Sequence, residues 1–189
     1  ILKRFDQKKF RESLKKILKK NKFDTIIFES LFTSAYLDTV IKLSNAKKLY
    51  RAHNIEHHIW FDQSNHNNNI FKKWYLKIQS ERLKNEEIKF WNNIDSILSI
   101  SENDSSYILK HCPTSTFTIG IHLEKRHLEA NNKSTKVDFF HLGAMDWLPN
   151  RDGINWILND VFPEVKKIEK SAEIHIAGRA MPTKLKSRV

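Results

Sequence analysis

Hydrophobic spacing along the chain switches repeatedly between the helical and the extended period. Over residues 3–20, Phe10, Leu14, Ile17 and Leu18 recur at i, i+4, i+7 and i+8 with lysines on the other faces, which predicts an amphipathic helix. Residues 23–29 are a short, nearly continuous apolar run, the signature of a buried parallel strand. A helical pattern over residues 30–43 follows, with Leu31, Ala35, Tyr36 and Val40 on one side, and residues 47–52 read as a second strand. Residues 61–69 are polar and asparagine-rich and read as a loop. Residues 70–92 predict a long helix whose Phe71, Trp74, Tyr75, Ile78, Ile88 and Trp91 are assigned to the core. Further strands are expected at residues 95–101, 116–119, 137–142 and 173–177, with helices at 102–110 and 151–161 between them. Ser101 or Asn103 is the expected cap of the former. Strands alternating with helices predict an α/β fold built on parallel sheets flanked by helices.

Composition narrows the class. Of 189 residues, 40% are hydrophobic and 29% charged, the balance of a globular chain. No apolar run approaches the roughly 18 residues needed to span a bilayer. The single cysteine, Cys112, excludes an intrachain disulfide and a multi-cysteine zinc site, and fits a reducing cytosol. The net charge of +11 points to an anionic partner. Residues 1–20 hold nine Lys/Arg against Asp6 and Glu12, so +7 of that charge lies on the first helix. Such a run is most simply a solvated helix face; the functional reading is a basic helix leaning on an anionic membrane. Nucleic acid is not the expected partner, because the lysines and the aromatic residues sit on different elements.

The densest cluster of chemistry is residues 50–60, with Arg51, His53, Asn54, Glu56, His57 and His58 between a strand and Trp60. His53-x-x-Glu56-His57 matches the zinc-peptidase motif, in which two histidines on one helical face bind metal and the glutamate acts as base. Against it, the motif directly follows a strand and Asn54 is a poor helix-interior residue. The competing reading is a polar loop at a strand end, facing a ligand. Three other strands also end in small or polar residues, at Ser101, Gly143-Ala144 and Gly178-Arg179. Open parallel sheets bind ligands beyond the carboxyl ends of their strands. There Gly143 allows close backbone approach to a diphosphate, and Arg179 offers a fork of donors.

Four blocks together resemble a known family. They are Arg51-x-His53-Asn54-x-Glu56-His57, then Trp91-x-x-x-Asp95-x-Ile97-x-x-Ile100-Ser101-x-x-Asp104, then Leu142-Gly143-Ala144-Met145-Asp146-Trp147-x-Pro149-Asn150-x-x-Gly153-x-x-Trp156, and finally residues 174–179. The chain is similar over residues 21–182 to the family-4 (group 1) glycosyltransferases. The resemblance implies the GT-B architecture, two Rossmann-like domains with a nucleotide-sugar donor held mainly by the second and the acceptor by the first. It implies a retaining sugar transfer that needs no metal or other cofactor. His53 matches a histidine facing the reacting sugar, supported by Asn54 and Glu56, with His57 and His58 as bystanders. Gly143 and Asp146 match a loop approaching the donor phosphates, and Arg179 a later strand end on the same side; Ser101 is a candidate ligand contact from its own place at a strand end.

On this reading residues 1–121 are the later part of the acceptor-side domain, 122–136 a linker, and 137–189 the first part of the donor domain. Three family features are missing: the glycine-rich loop of the first domain, the paired glutamates of the second, and an Arg/Lys pair after Gly143. Both domains are therefore expected to be incomplete and the chain alone inactive, with unpaired sheet edges open to self-association. The expected partners are a nucleotide-diphosphate sugar and a glycan or lipid-linked acceptor, as in polysaccharide and cell-envelope biosynthesis. The expected location is the cytoplasm, peripheral to the inner face of the membrane.

Overall fold

The short apolar runs become short parallel strands. The protein's structure, a computed structural model, describes residues 2–120 and 138–186. The chain divides into two compact units, Ile1–Glu124 and Lys125–Val189. The linker expected over residues 122–136 lies outside the described residues.

In the first unit β1 (Thr25–Phe28), β2 (Lys47–Ala52), β3 (Ser96–Ser99) and β4 (Thr116–Thr118) form one four-stranded parallel sheet in the order β1-β2-β3-β4. The register pairs Phe28 with Tyr50, Tyr50 with Ile97, and Ile97 with Thr116, so these side chains share a face. That face packs against α1 (Lys8–Lys20), α2 (Leu37–Leu43), α4 (Ile70–Trp91) and α5 (Glu102–His111) through Leu18, Val40, Leu83, Phe90, Trp91 and Ile108. The continuous runs predict strands buried on both faces. Instead the opposite face leaves Ile27, Arg51 and Phe117 exposed, so among the described residues the sheet is covered on one side.

Several boundaries differ from the sequence reading. The first helix breaks at Asp6-Gln7, leaving a 3₁₀ turn (Leu2–Phe5) ahead of α1. Asp6 there pairs with Arg11, which also reaches Asp38, Thr39 Oγ1 and the Ala35 carbonyl. Residues 30–43 form a 3₁₀ segment (Leu31–Tyr36) capped by Ser30, then α2. Most of the expected loop at 61–69 belongs instead to α3 (Glu56–Asn65), which pairs with α4 as a helical hairpin. Along α4 the core face is Leu76, Ser80, Leu83, Glu87 and Trp91, so Phe71, Trp74 and Tyr75 are exposed rather than core.

Asp95 stitches β2 to β3. Its carboxylate accepts from the Lys48 backbone N–H at 2.6 Å and from Lys48 Nζ at 2.9 Å, while its own N–H donates to the Lys48 carbonyl. The Lys48 N–H, then the Lys48 ammonium, hold the Asp95 carboxyl below its ordinary pKa. A depressed carboxylate stabilises the fold above its unfolded pKa and loses that contribution as pH falls through the folded value. Asp95→Asn is therefore expected to cost about 1 kcal/mol at neutral pH, discounted for its half-exposed site. In urea unfolding the gap from the parent should close as pH drops below about 4.

The second unit is smaller. β5 (Phe139–Leu142) and β6 (Ile174–Ala177) pair in parallel, Phe139 with Ile174 through Leu142 with Ala177. Between them run α6 (Leu148–Trp156), a π turn (Ile157–Val161) and α7 (Phe162–Ile168). The helix expected to end at Val161 is thus followed directly by another, α7. α8 (Thr183–Lys186) completes the described residues, and Met145, Ile154 and Leu185 form a small core with Ile176 and Met181. Both units are thus α/β with parallel sheets, the fold class expected.

Candidate functional site

The polar residues gather where parallel strands end. β1 runs directly into Glu29 and β2 into His53. His53 Nε2 lies 3.2 Å from Glu29 Oε2, and Arg51 Nη1 approaches the same oxygen at 3.5 Å. All three side chains are about half exposed, so the triad faces solvent beyond the sheet. Glu29 was missed by the sequence reading; its one signal was a carboxylate at the end of an apolar run. β3 ends in Ser99, whose hydroxyl joins Ser105 at 2.6 Å and donates to the Ser101 carbonyl, and Ser105 continues to Thr118 at 2.7 Å. Ser101, expected as a ligand contact, uses its hydroxyl to cap α5 by accepting from the Asp104 N–H.

Directly behind His53 the chain turns into α3, and a buried network holds that turn. Ile55 at the N-cap position offers no side-chain cap. Glu87 on α4, fully buried, supplies the cap instead: its carboxylate accepts from the backbone N–H of Glu56 at 3.1 Å and of His57 at 3.2 Å. His57 Nδ1 stands 2.7 Å from the same carboxylate, and Nε2 stands 2.9 Å from the Tyr107 hydroxyl. The bonds are complete with the proton on Nδ1, Tyr107 donating to Nε2. Ser80 Oγ, about two turns earlier on α4, donates to the His57 carbonyl. A helix N-terminus is a favourable seat for a carboxylate, which offsets part of the desolvation of Glu87.

His57 is consequently no bystander. It is 4% exposed and ties three elements together. His58 packs edge-on against Tyr107, and burial, then the neighbouring His57, lowers its pKa. Glu56 is half buried, and burial, followed by Glu87, raises its pKa. The zinc-peptidase geometry does not form. His53 precedes α3, so it shares no helical face with His57, whose two ring nitrogens are both engaged. Among the described residues no group of three or more His, Cys, Asp or Glu could hold a metal ion. Asn54 lies in the bend between β2 and α3, beside His53.

In the second unit the two strand ends interlock. The ladder continues past β5 and β6 with Gly143 N–H donating to the Ala177 carbonyl and Met145 N–H to that of Arg179. Gly178 takes φ +154°, and a Cβ there would lie 1.8 Å from the Gly143 carbonyl oxygen. A Cβ on Gly143 would meet His141 Nε2 at 2.8 Å and the Asn150 amide at 3.0 Å. Asn150 in turn donates to the Ala144 carbonyl at 2.9 Å, pinning the loop to the start of α6. Arg179 Nη2 pairs with both carboxylate oxygens of Asp146, at 2.9 and 3.2 Å, in an exposed ion pair. The structure thus brings Gly143, Asp146 and Arg179 together at one end of this sheet, and His53, Asn54 and Glu56 at one end of the other.

Over 181 residues the chain is 28% identical to the "Uncharacterized 44.6 kDa protein in cps region" of Klebsiella pneumoniae, covering 92% of this chain. The chain spans 44% of that protein's length. No protein-family model matches it, and no solved structure does.

Proposed function

We propose that the chain forms the central part of a glycosyltransferase of the group 1, GT-B type, moving a sugar from a nucleotide-diphosphate donor to a glycan or lipid-linked acceptor. The observation that carries this reading is positional. In each unit the residues that resemble the family's site stand together beyond the carboxyl ends of parallel strands, where open α/β sheets take their ligands. Similarity to a protein of a cps (capsule) region supports a role in polysaccharide biosynthesis.

The chemistry fits the residues. Sugar transfer breaks the bond between the anomeric carbon and the diphosphate, so negative charge grows on the leaving group. The exposed Arg179 guanidinium, beside the Gly143 loop, answers that charge. The 2.9 Å pair with Asp146 holds the guanidinium in place while leaving it accessible. On the acceptor side His53 contacts the reacting sugar, and Glu29 fixes its ring through Nε2.

The test is the substitution His53→Ala made in the complete enzyme, of which this chain is the central part, assayed for transfer from nucleotide-diphosphate sugars. His53 is half exposed and makes no core contact, so folding should be unchanged by circular dichroism. Transfer should fall roughly 10²–10⁴-fold. Full activity in the variant would remove His53 from the site.

A further inference from the structure

The first two turns of α4 carry a surface that the core does not explain. Ile70, Phe71, Trp74 and Tyr75 are 79%, 85%, 66% and 54% exposed. At 100° per residue they span one arc of about 140°, centred opposite the arc of Leu76, Ser80, Leu83 and Glu87 that faces the core. Farther along α4 the same outward arc turns polar, with Glu81, Arg82, Asn85, Glu86 and Lys89. The apolar surface is therefore a confined patch at the helix start, capped by Asn69, rather than a stripe along the helix. Scattered exposed apolar residues need no explanation, but a contiguous aromatic patch marks an interaction site.

The residues around it say what kind. Lys72, Lys73 and Lys77 flank the arc, all exposed, with no acidic residue between Gln63 and Gln79. Tryptophan and tyrosine with flanking lysine is the composition of a bilayer interface, the rings entering at headgroup depth and the ammonium groups meeting lipid phosphates. We infer that the start of α4 is a docking surface for an anionic phospholipid bilayer. The basic α1, which the sequence made the membrane candidate, has Leu14 and Leu18 packed into the core and its Arg11 spent on α2 and the preceding 3₁₀ segment. No helix among the described residues is long and apolar enough to cross a membrane, so attachment through α4 is peripheral. This inference stands apart from the transferase reading.

Vesicle sedimentation tests it, using phosphatidylcholine alone or mixed with phosphatidylglycerol. The protein should bind the mixed vesicles and bind neutral ones much more weakly, each flanking lysine contributing roughly fivefold. Phe71→Glu with Trp74→Glu should weaken binding at least about tenfold. Lys16→Gln, Lys19→Gln and Lys20→Gln on α1 should weaken it less. Brominated lipid should quench fluorescence in the parent, and less so in Trp74→Phe, a change too mild to unfold an exposed site. Three results would each overturn the proposal: no binding to mixed vesicles, binding that follows the α1 lysines alone, or quenching indifferent to Trp74. Absent vesicle binding together with a dimer that the Phe71/Trp74 variant dissociates would assign the patch to a second copy of the chain instead.

Discussion

Glu87→Ala is expected to be the most damaging single substitution in the first unit, costing roughly 3–5 kcal/mol. The carboxylate has no exposure, and three donors converge on it: two backbone N–H groups at the start of α3 and His57 Nδ1. Removing it leaves those donors buried without a partner and opens a cavity between α3 and α4. Glu87→Gln should cost less, about half as much, because its amide oxygen can still accept while its NH₂ group opposes another donor. Chemical denaturation of both variants gives the order. Hydrogen exchange adds a sharper readout, since the Glu56 and His57 amides should lose protection first. An alanine variant as stable as the parent would mean that α3 does not depend on its borrowed cap. The loop carrying His53 enters α3 at this point, so the same variant should also loosen His53.

The second unit has its own weak point in Gly178→Ala. Here the cost is steric: φ of +154° disfavours any side chain, and the new Cβ would overlap the Gly143 carbonyl oxygen. Backbone cannot yield as a flexible side chain can, so the β5 and β6 ends must separate. The bonds Gly143–Ala177 and Met145–Arg179 would then break. The conformational and packing penalties together come to roughly 3–5 kcal/mol. Among the described residues the core cluster of this unit is small, Met145, Ile154 and Leu185, so it has little to offset such a loss. Thermal unfolding should drop sharply and exchange in β5 and β6 should accelerate. Gly153→Ala is the control: nothing lies within 4 Å of its Cβ and it sits inside α6, so it should gain about 0.5–1 kcal/mol. Equal effects at the two glycines would refute the clash.

The contrast between α4 and α3 separates what the two levels decide. α4 was legible because of its length, yet its core face was not. Phe71, Trp74 and Tyr75 have helical spacing and large apolar side chains, so they read as core; the face actually buried includes Ser80 and Glu87, polar residues that apolar spacing does not mark. The second half of α3, within residues 61–69, reads as a loop for the same reason. The helix's buried residues are His57 and Ser64, so hydrophobic periodicity had nothing to report, and its N-cap comes from a residue 31 positions away. Hydrophobic patterning finds elements that pack by the hydrophobic effect and is blind to those that pack by hydrogen bonds.

By itself the sequence determined the alternation of strands and helices, the parallel α/β class, and the strand ends at which His53, Gly143 and Arg179 stand. Those follow from local apolar runs and from the residues that interrupt them. Tertiary structure alone decided which neighbours those residues have. Glu29 beside His53, Glu87 under His57, and Gly178 against Gly143 are contacts between residues 24, 30 and 35 positions apart in the chain. Such contacts arise from strand register and helix packing, and no local spacing encodes them.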